Sequence, residues 1–377
     1  MPNIANTFLR YSFIAFTVLL IGTSQVNAKA TSLATATDSA TEAQQILKSG
    51  YSIENCLPAG YVKNGSVDYT VNIQQALNKY DNVIFPAFPI LINDKGLTLH
   101  TGQKVYFKKG SVLNLVPTAQ PNYEMLRIHD VTNVSVYNVV IKGDKYSHLV
   151  KTGEWGMGIS IRGASNINIY SAKIEQCWGD GMYIGTTPKQ AFCENINLRY
   201  VNCNDNRRNG ISVISARNVT ILGPVLTNTS GTQPMCGLDL EPNSNKDILD
   251  NINILNAVTK NNQYGISFYL SPLNGADAQA SNIKITNHYD DGSKWALQFG
   301  SKGSNLKGKV IVENANWHNN TDAIKIVNYE PTDGEQIIFK NVNITKLQDG
   351  VSQDVHTKVF NTIKSSLKPG FTGIQLP

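Results

Sequence analysis

The chain has 377 residues, of which 41% are hydrophobic and 16% charged, and its formal net charge is +5 at pH 7. A balance this mild does not indicate a nucleic-acid-binding protein, although it permits an anionic ligand. The five cysteines are odd in number and lack the paired spacing of a zinc site. We predict no metal and no cofactor, and expect the cysteines to be small buried residues, with one disulfide permitted by export.

Residues 1–28 have the three-part organisation of a secretory signal peptide. Arg10 is followed by an apolar run from Tyr11 to Ile21 and by small residues that end at Ala28. The run is shorter than the roughly 20 residues that span a bilayer, which favours cleavage after Ala28 over an uncleaved membrane anchor. Cleavage removes Arg10 and leaves 32 basic against 28 acidic residues, a balance of +4. We predict a secreted or periplasmic protein without stable membrane insertion.

Residues 29–65 are predicted to form a linker or lead-in. The segment 31–45 is rich in Ala, Thr and Ser and has no apolar period. Residues 66–377 are predicted to form a single β-rich domain with terminal caps.

The first predicted element of that domain is a helix over Val71 to Tyr80, because Ile73, Ala76 and Leu77 have the spacing of one helical face. We expect this helix to cap an open end of the β-rich domain. Short β-rich runs come next, at Asn82 to Phe85, Pro89 to Ile92, Leu97 to Leu99, Lys104 to Phe107 and Val112 to Val116.

Two repeats extend from about Asn133 to about Asn343, and both alternate apolar and polar residues. In the first, Asn leads each strand and the starts are 23 to 33 residues apart, at Asn133, Asn166, Asn195, Asn218, Asn251 and Asn282. In the second, Gly leads and the starts are 23 to 29 residues apart, at Gly158, Gly181, Gly210, Gly237 and Gly265; Ala296 and Ala323 continue this series.

An apolar period of two excludes a helical solenoid. A β-propeller needs about four strands per repeat and hairpin turns, whereas these turns lack Asn-Gly or Asp-Gly at two-residue hairpin spacing. We therefore predict an all-β protein, a right-handed parallel β-helix with two alternating strands in each coil. At the corners, Gly is expected to supply unusual backbone angles or close approaches, and Asn to satisfy backbone groups.

Alternation assigns the faces of the Gly-led strands. The second and fourth residues of each strand point inward, and the third and fifth point outward. The outward column reads Ser160, Tyr183, Ser212, Asp239, Ser267, Gln298 and Lys325, with Arg162, Glu241 and Tyr269 alongside.

Four charged residues, Asp180, Arg208, Asp239 and Glu241, fall within about two rungs of this column because adjacent strands are about 4.8 Å apart. Carboxylates, guanidinium groups and aromatic faces together suit a sugar, since aromatic rings stack on pyranoses and paired carboxyl groups cleave glycosidic bonds. The predicted catalytic residues are Asp180, Asp239 and Glu241. The predicted substrate-binding residues are Arg207, Arg208, Tyr183, Trp155, Trp178 and Tyr269.

Structural roles for the same residues stay open at this point. Asp180 stands between glycines and suits a turn that satisfies the backbone. Asp239 and Glu241 fit a solvated face, and Arg207 and Arg208 fit surface pairs with Asp205. The Trp and Tyr rings would then pack under loops.

Residues from about Gly153 to Asn218 resemble the pectin lyase-like β-helix superfamily and, within it, glycoside hydrolase family 28, the polygalacturonases. WGDGMYIG, followed about twenty residues later by NRRNGISVISARNVTI, is similar in order and spacing to the GDD and GHGISIG strands of that family. DYTVNIQQALNKYDNVIFP resembles the helix and first strand that open many members. The resemblance covers most of the chain after the signal for the fold, but only about three rungs for the site.

Position by position, the resemblance implies that Asp180 is the general acid. Gly181 and Met157 stand where the family has its two water-activating carboxylates, and Asn209 stands in place of the His of GHG. These departures point away from polygalacturonase activity.

The segment CGLDLEPN occupies the rung of the family's substrate-binding RIK, so Asp239 and Glu241 replace a basic cluster. We predict a divergent polysaccharide-degrading glycoside hydrolase with Asp180 as acid and Asp239 or Glu241 as base. The expected partner is a polysaccharide or oligosaccharide, anionic groups allowed, and no nucleic acid.

Two other functions suit the same fold. A polysaccharide lyase or uronate epimerase would use Arg208, Arg207 and Tyr183 at a neutralised uronate. A non-catalytic glycan-binding solenoid would use only the stacking and hydrogen bonds of its outer face.

Overall fold

The computed structural model describes residues 39–302, 306–327 and 335–347, together with residues 361 and 374–375. The chain divides into two compact units, Met1–Gly50 and Tyr51–Pro377. In the first unit, residues 39–49 form helix α1, and the amide of Gly50 donates a hydrogen bond to the carbonyl oxygen of Ile46 at 2.7 Å. The predicted signal peptide lies outside the described residues. Within the described part of the chain, no helix has the length and apolar character needed to cross a membrane.

In the described residues of the second unit, 31 short strands form a coil of three sheets, and the strands of each sheet are parallel. Sheet A has twelve strands: β1 (Tyr51–Ser52), β2 (Asn82–Phe85), β5 (Lys104–Phe107), β8 (Thr132–Tyr137), β11 (Ser165–Tyr170), β14 (Cys193–Arg199), β17 (Ala216–Leu222), β20 (Leu249–Leu255), β23 (Ser281–Thr286), β26 (Gly308–Glu313), β29 (Glu335–Lys340) and β31 (Ile374–Gln375). Sheet B has ten strands: β3 (Pro89–Ile92), β6 (Val112–Leu115), β9 (Val140–Lys142), β12 (Lys173–Glu175), β15 (Asn202–Asn204), β18 (Val225–Thr227), β21 (Val258–Lys260), β24 (Tyr289–Asp291), β27 (Asn316–Asn320) and β30 (Asn343–Leu347).

Sheet C has nine strands: β4 (Leu97–Thr98), β7 (Asn122–His129), β10 (Trp155–Arg162), β13 (Met182–Gly185), β16 (Ile211–Val213), β19 (Cys236–Leu240), β22 (Tyr264–Tyr269), β25 (Trp295–Gly300) and β28 (Asp322–Val327). From β4 to β30, the chain visits sheets C, A and B in turn, so three strands make one coil. This is the predicted parallel β-helix, and its Gly-led strands make up most of sheet C.

Two features differ from the sequence prediction. Each coil has three strands rather than the two predicted. The strand of sheet B was missed because most strands of that sheet are only three residues long, too short to show an alternating pattern. The coil also begins earlier than residue 66. Tyr51 and Ser52 form β1 and pair with Val83 and Ile84, and a 3₁₀ turn comes next at Ile53–Cys56. A two-residue strand depends on its neighbour rather than on its own sequence, so the segment 29–65 gave no strand signal.

The predicted capping helix is present as α2, Thr70–Lys79, with Ile73, Ala76 and Leu77 buried. Gln103, in the turn before β5, fastens the end of the helix to the first coils. Its side-chain amide donates to the carbonyl oxygens of Leu77 and Tyr80 at 2.8 and 2.9 Å. The buried glutamine thus satisfies carbonyl groups that a helix end leaves without partners.

The inward residues of the Gly-led strands are fully buried, as predicted; they are Ile159, Ile161, Met182, Ile184, Ile211, Val213, Leu238, Leu240, Ile266 and Phe268. The leading glycines are required by close approach and not by backbone angle. A Cβ on Gly210 would lie 2.4 Å from the carbonyl oxygen of Gly237, and one on Gly237 would lie 2.6 Å from that of Gly265. Each coil therefore occupies the space that a side chain on the previous coil would need.

The recurring Asn residues have a different role. Asn166, Asn195 and Asn218 have φ of 56° and lie in the left-handed region, which Asn tolerates better than most residues. Their side chains form a ladder in which Asn195 donates to Asn166 at 2.9 Å and Asn218 donates to Asn195 at 3.1 Å. The Asn positions therefore bend the chain and join the coils.

All five cysteines carry free thiols, four of them buried.

We expect Gly210→Ala to destabilise the coil by about 2 kcal/mol or more, because the added methyl group overlaps a main-chain oxygen that cannot move alone. Ala296→Gly is the matched control, since Ala296 holds the same place in the series and already carries a methyl group; it should cost less than about 1 kcal/mol. Urea unfolding monitored by circular dichroism measures both. Equal stability of Gly210→Ala and the parent protein would contradict the close-approach explanation.

Candidate active site

A groove of about 700 Å³ lies on the outer face of sheet C and extends from β7 to the end of β19. Parallel pairing stacks its residues in columns, since Tyr183 pairs with Ser212 and Ser212 pairs with Asp239. Seven charged side chains line it: Asp94, Glu124, Glu154, Glu241, Arg127, Arg162 and Arg208.

Arg208 is the centre of the charged cluster that the sequence placed here. Its Nη1 donates to Asp180 Oδ2 and Oδ1 at 3.1 and 3.3 Å, and its Nη2 lies 3.4 Å from Glu241 Oε2. The Ser212 hydroxyl also donates to Asp180 Oδ2, at 2.7 Å. The Asp180 side chain is fully buried, whereas that of Glu241 is 39% exposed. Glu241 is therefore the carboxylate of this cluster that faces the groove.

Asn209 links the cluster to Asp239. Its Nδ2 donates to Asp239 Oδ2 at 3.3 Å and to Ser212 Oγ at 3.0 Å, while its Oδ1 accepts the amide N–H of Cys236 at 2.9 Å. Asp239 itself is only 2% exposed. The amide fixes the position of a carboxyl group that has no cation in direct contact among the described residues.

The two buried carboxyl groups have raised pKa values. Burial raises the pKa of Asp180, although Arg208 and Ser212 oppose the change. The pKa of Asp239 lies well above its usual range, first because of burial and then because Glu241 is close. The arrangement therefore holds a proton on Asp239 more strongly than on an ordinary aspartate.

A second charged cluster at the β7 end of the groove was missed from the sequence. The Ser160 hydroxyl donates to Glu124 Oε1 at 2.8 Å, and Arg162 Nε donates to the same oxygen at 3.1 Å. Arg162 also lies over the ring of Tyr183, 4.1 Å from its centroid. The strand of Glu124 lacks a leading Gly, so it was not recognised as part of the repeat. Leu126 pairs with Ile159 and continues the inward column, so this register was the signal that could have added the strand to the repeat.

The predicted aromatic residues are distributed differently from expectation. Trp155 lines the groove and is 54% exposed. The prediction that Trp178 binds substrate is wrong, because its ring is covered by the His148 ring at 3.9 Å and by the Arg207 guanidinium at 3.8 Å. It packs beneath the surface and offers no open face to a sugar. Tyr269 does not line the groove.

The proposed surface pair of Arg208 with Asp205 does not form. Asp205 accepts instead from Lys145 Nζ at 2.7 Å and from the Tyr146 hydroxyl at 2.9 Å. A solvated face is likewise wrong for Asp239, which is buried. Arg207 lies outside the groove, in a neighbouring pocket.

Comparison with known proteins supports the fold. The family model described as "Right handed beta helix region" matches residues 90–241. A polygalacturonase from Erwinia carotovora ssp. carotovora has a similar structure, with a TM-score of 0.54 at 15% identity, covering 77% of this chain and 94% of that one. A tailspike protein of E. coli bacteriophage HK620 gives 0.53 at 11% identity, covering 82% and 65%. At these identities the likeness shows the fold alone.

One curated relative is the uncharacterized protein YclG of Bacillus subtilis (strain 168), which is 25% identical over 256 residues. The match covers 59% of this chain and 44% of YclG. The chain thus spans less than half the length of this relative.

We expect Asp239→Asn to raise the Tm by about 2 °C or more at pH 8, with the difference shrinking toward pH 4. A carboxyl group whose pKa is raised by folding stabilises the fold below its unfolded pKa of about 4, and this contribution is lost as pH rises through the folded pKa. Asparagine keeps the shape without ionising. Thermal unfolding across pH measures the difference.

Asp250→Asn is the control for this measurement, because Asp250 is a partly exposed carboxylate paired with Arg217 at 3.3 Å on sheet A. It should give no gain at pH 8. If Asp239→Asn lowered the Tm at pH 8 by as much as at pH 4, the raised pKa would be contradicted.

Proposed function

We propose that this chain, a right-handed parallel β-helix of the pectin lyase-like superfamily, is a polysaccharide-degrading glycoside hydrolase whose active site is the groove on sheet C. The fold is shared with the Erwinia carotovora polygalacturonase. The departures from the polygalacturonase pattern at Gly181, Met157 and Asn209 point away from polygalacturonase activity, so we propose a different polysaccharide as the substrate.

The observation that carries the proposal is the cluster of Asp180, Arg208, Asp239 and Glu241. The carboxyl groups of Asp180 and Asp239 are buried on the outer face of a solenoid. Burying such groups costs several kcal/mol each unless they are paired. Hydrolysis of a glycosidic bond requires two carboxyl groups, one acting as acid and the other as base.

The roles are assigned from burial and contact. Glu241, exposed and held by Arg208, is the proposed base that removes a proton from the attacking water. Asp239, whose pKa is raised by burial and by Glu241, is the proposed acid for the leaving oxygen. The two are two residues apart on one face of the same rung, about 6.7 Å between Cα atoms. Asp180 is then a positioning residue for Arg208, which revises its predicted role as acid.

The lyase or epimerase alternative has weaker support. One of the three residues predicted for it, Tyr183, lines the groove, but burial raises the pKa of this phenol. A base with a raised pKa is less often ionised at neutral pH, so Tyr183 is poorly suited to remove a proton. An unsaturated product absorbing in the ultraviolet would nevertheless identify a lyase.

We expect Glu241→Gln to lower kcat by about 100-fold or more, because the amide cannot accept the proton of the attacking water. The assay is release of reducing ends from whichever polysaccharide of a panel the parent protein degrades. The Tm should stay within about 2 °C of the parent, since the side chain is partly exposed.

The matched control is Arg217→Gln, which removes a partly exposed arginine from sheet A, away from the groove. Its kcat should remain within about twofold of the parent value. Full activity of both Glu241→Gln and Asp239→Asn would refute the assignment of these residues.

We also propose that the protein is exported through residues 1–28. The support is the order of Arg10, the apolar run and Ala28. Terminal sequencing of protein recovered outside the cytoplasm is expected to begin at Lys29, and an intact Met1 there would contradict the proposal.

A further inference from the structure

Arg207 and Arg208 are adjacent in sequence but differ in what compensates their charge. Arg208 contacts the carboxylates of Asp180 and Glu241. Arg207 lies over the Trp178 ring and donates from Nη1 to the carbonyl oxygen of Gly153 at 2.8 Å. Within the described ranges it forms no ion pair. Arg208 is therefore paired within the protein, whereas Arg207 has no carboxylate in direct contact among the described residues.

Arg207 lies in a second pocket of about 430 Å³ that adjoins the groove. Trp155 borders both spaces and is 54% exposed, so it forms the wall between them. Lys151, an exposed residue in the segment before β10, also lines the second pocket. Burial lowers the pKa of Arg207 and only Glu154 opposes this, as expected for a cation that lacks a close carboxylate.

The two spaces have opposite charge. Among the described residues, the groove is lined by four acidic and three basic side chains, with the carboxyl group of Asp180 beneath. The second pocket is lined by two cations, Lys151 and Arg207, and by one acid, Glu154, which it shares with the groove. An anionic sugar at the carboxyl cluster would be repelled, while the same sugar in the second pocket would be attracted.

We propose that the second pocket is a subsite for a sugar residue bearing a carboxylate or sulfate group, and that the residue bound at the carboxyl cluster is neutral. The anionic group binds Arg207, which is held in place by Trp178 and Gly153, and Lys151. The ring of one of the two sugars packs against Trp155. The substrate is thus a heteropolysaccharide in which a neutral sugar is linked to an anionic one. This inference rests on the proposed function of the groove.

The test is titration of the ¹⁵N-labelled full chain with three sugars, monitored through the indole N–H resonances of Trp155 and Trp178. The probes are methyl glucuronoside, glucose 6-sulfate and methyl glucoside. At least one anionic sugar is expected to bind ten times more tightly than methyl glucoside. The better of the two anionic probes identifies the substituent as carboxylate or sulfate.

Arg207→Gln is expected to remove this tenfold preference and leave the affinity for methyl glucoside unchanged. Because Arg207 covers Trp178, Lys151→Gln provides a second variant on an exposed side chain, with an expected two- to threefold loss for the anionic probe. Arg217→Gln on sheet A is the control and should keep the preference.

Equal affinity for the charged and neutral probes overturns the inference, as does a preference that survives both Arg207→Gln and Lys151→Gln. The titration requires no cleavage. Its failure would leave hydrolysis at Glu241 standing, and a failure of hydrolysis would leave the anion preference measurable.

Discussion

Parallel main-chain pairing between successive coils is the constraint on which the rest of the structure depends. It fixes a spacing of about 4.8 Å and stacks equivalent residues in columns. Residues far apart in sequence therefore meet, as do Arg208 and Glu241, which are 33 positions apart. The same spacing excludes a side chain at Gly210, where a Cβ would lie only 2.4 Å from the carbonyl oxygen of Gly237 in the next coil. Site and scaffold are consequences of one geometry.

The chemistry of the groove depends on how deeply the coil buries each of its charged side chains. Asp239 faces outward but is covered, so burial and the nearby Glu241 raise its pKa together. Glu241 remains partly exposed and is held by Arg208. The same rung thus presents two carboxyl groups in different surroundings, one buried with a raised pKa and one partly exposed beside Arg208. The adjacent Arg207 escapes this compensation because its guanidinium is turned onto Trp178.

The repeats predicted the coil and the facing of its residues because an alternating pattern of period two depends on local sequence. They did not reveal the third strand, since three residues such as Lys173–Glu175 contain too little alternation. The cluster around Asp239 was predicted by counting rungs. The burial of Trp178 could not be predicted, because it depends on His148 and Arg207 arriving from other loops. Glu124 was missed since its strand lacks the leading glycine.

We propose that the carboxyl cluster hydrolyses a glycan. The most direct measurement is incubation of the full chain with a panel of neutral, uronate-containing and sulfated polysaccharides, with reducing ends and ultraviolet absorbance recorded together. Hydrolysis predicts new reducing ends without unsaturated products on at least one polysaccharide. Unsaturated products, or binding that leaves every chain length unchanged, would contradict it.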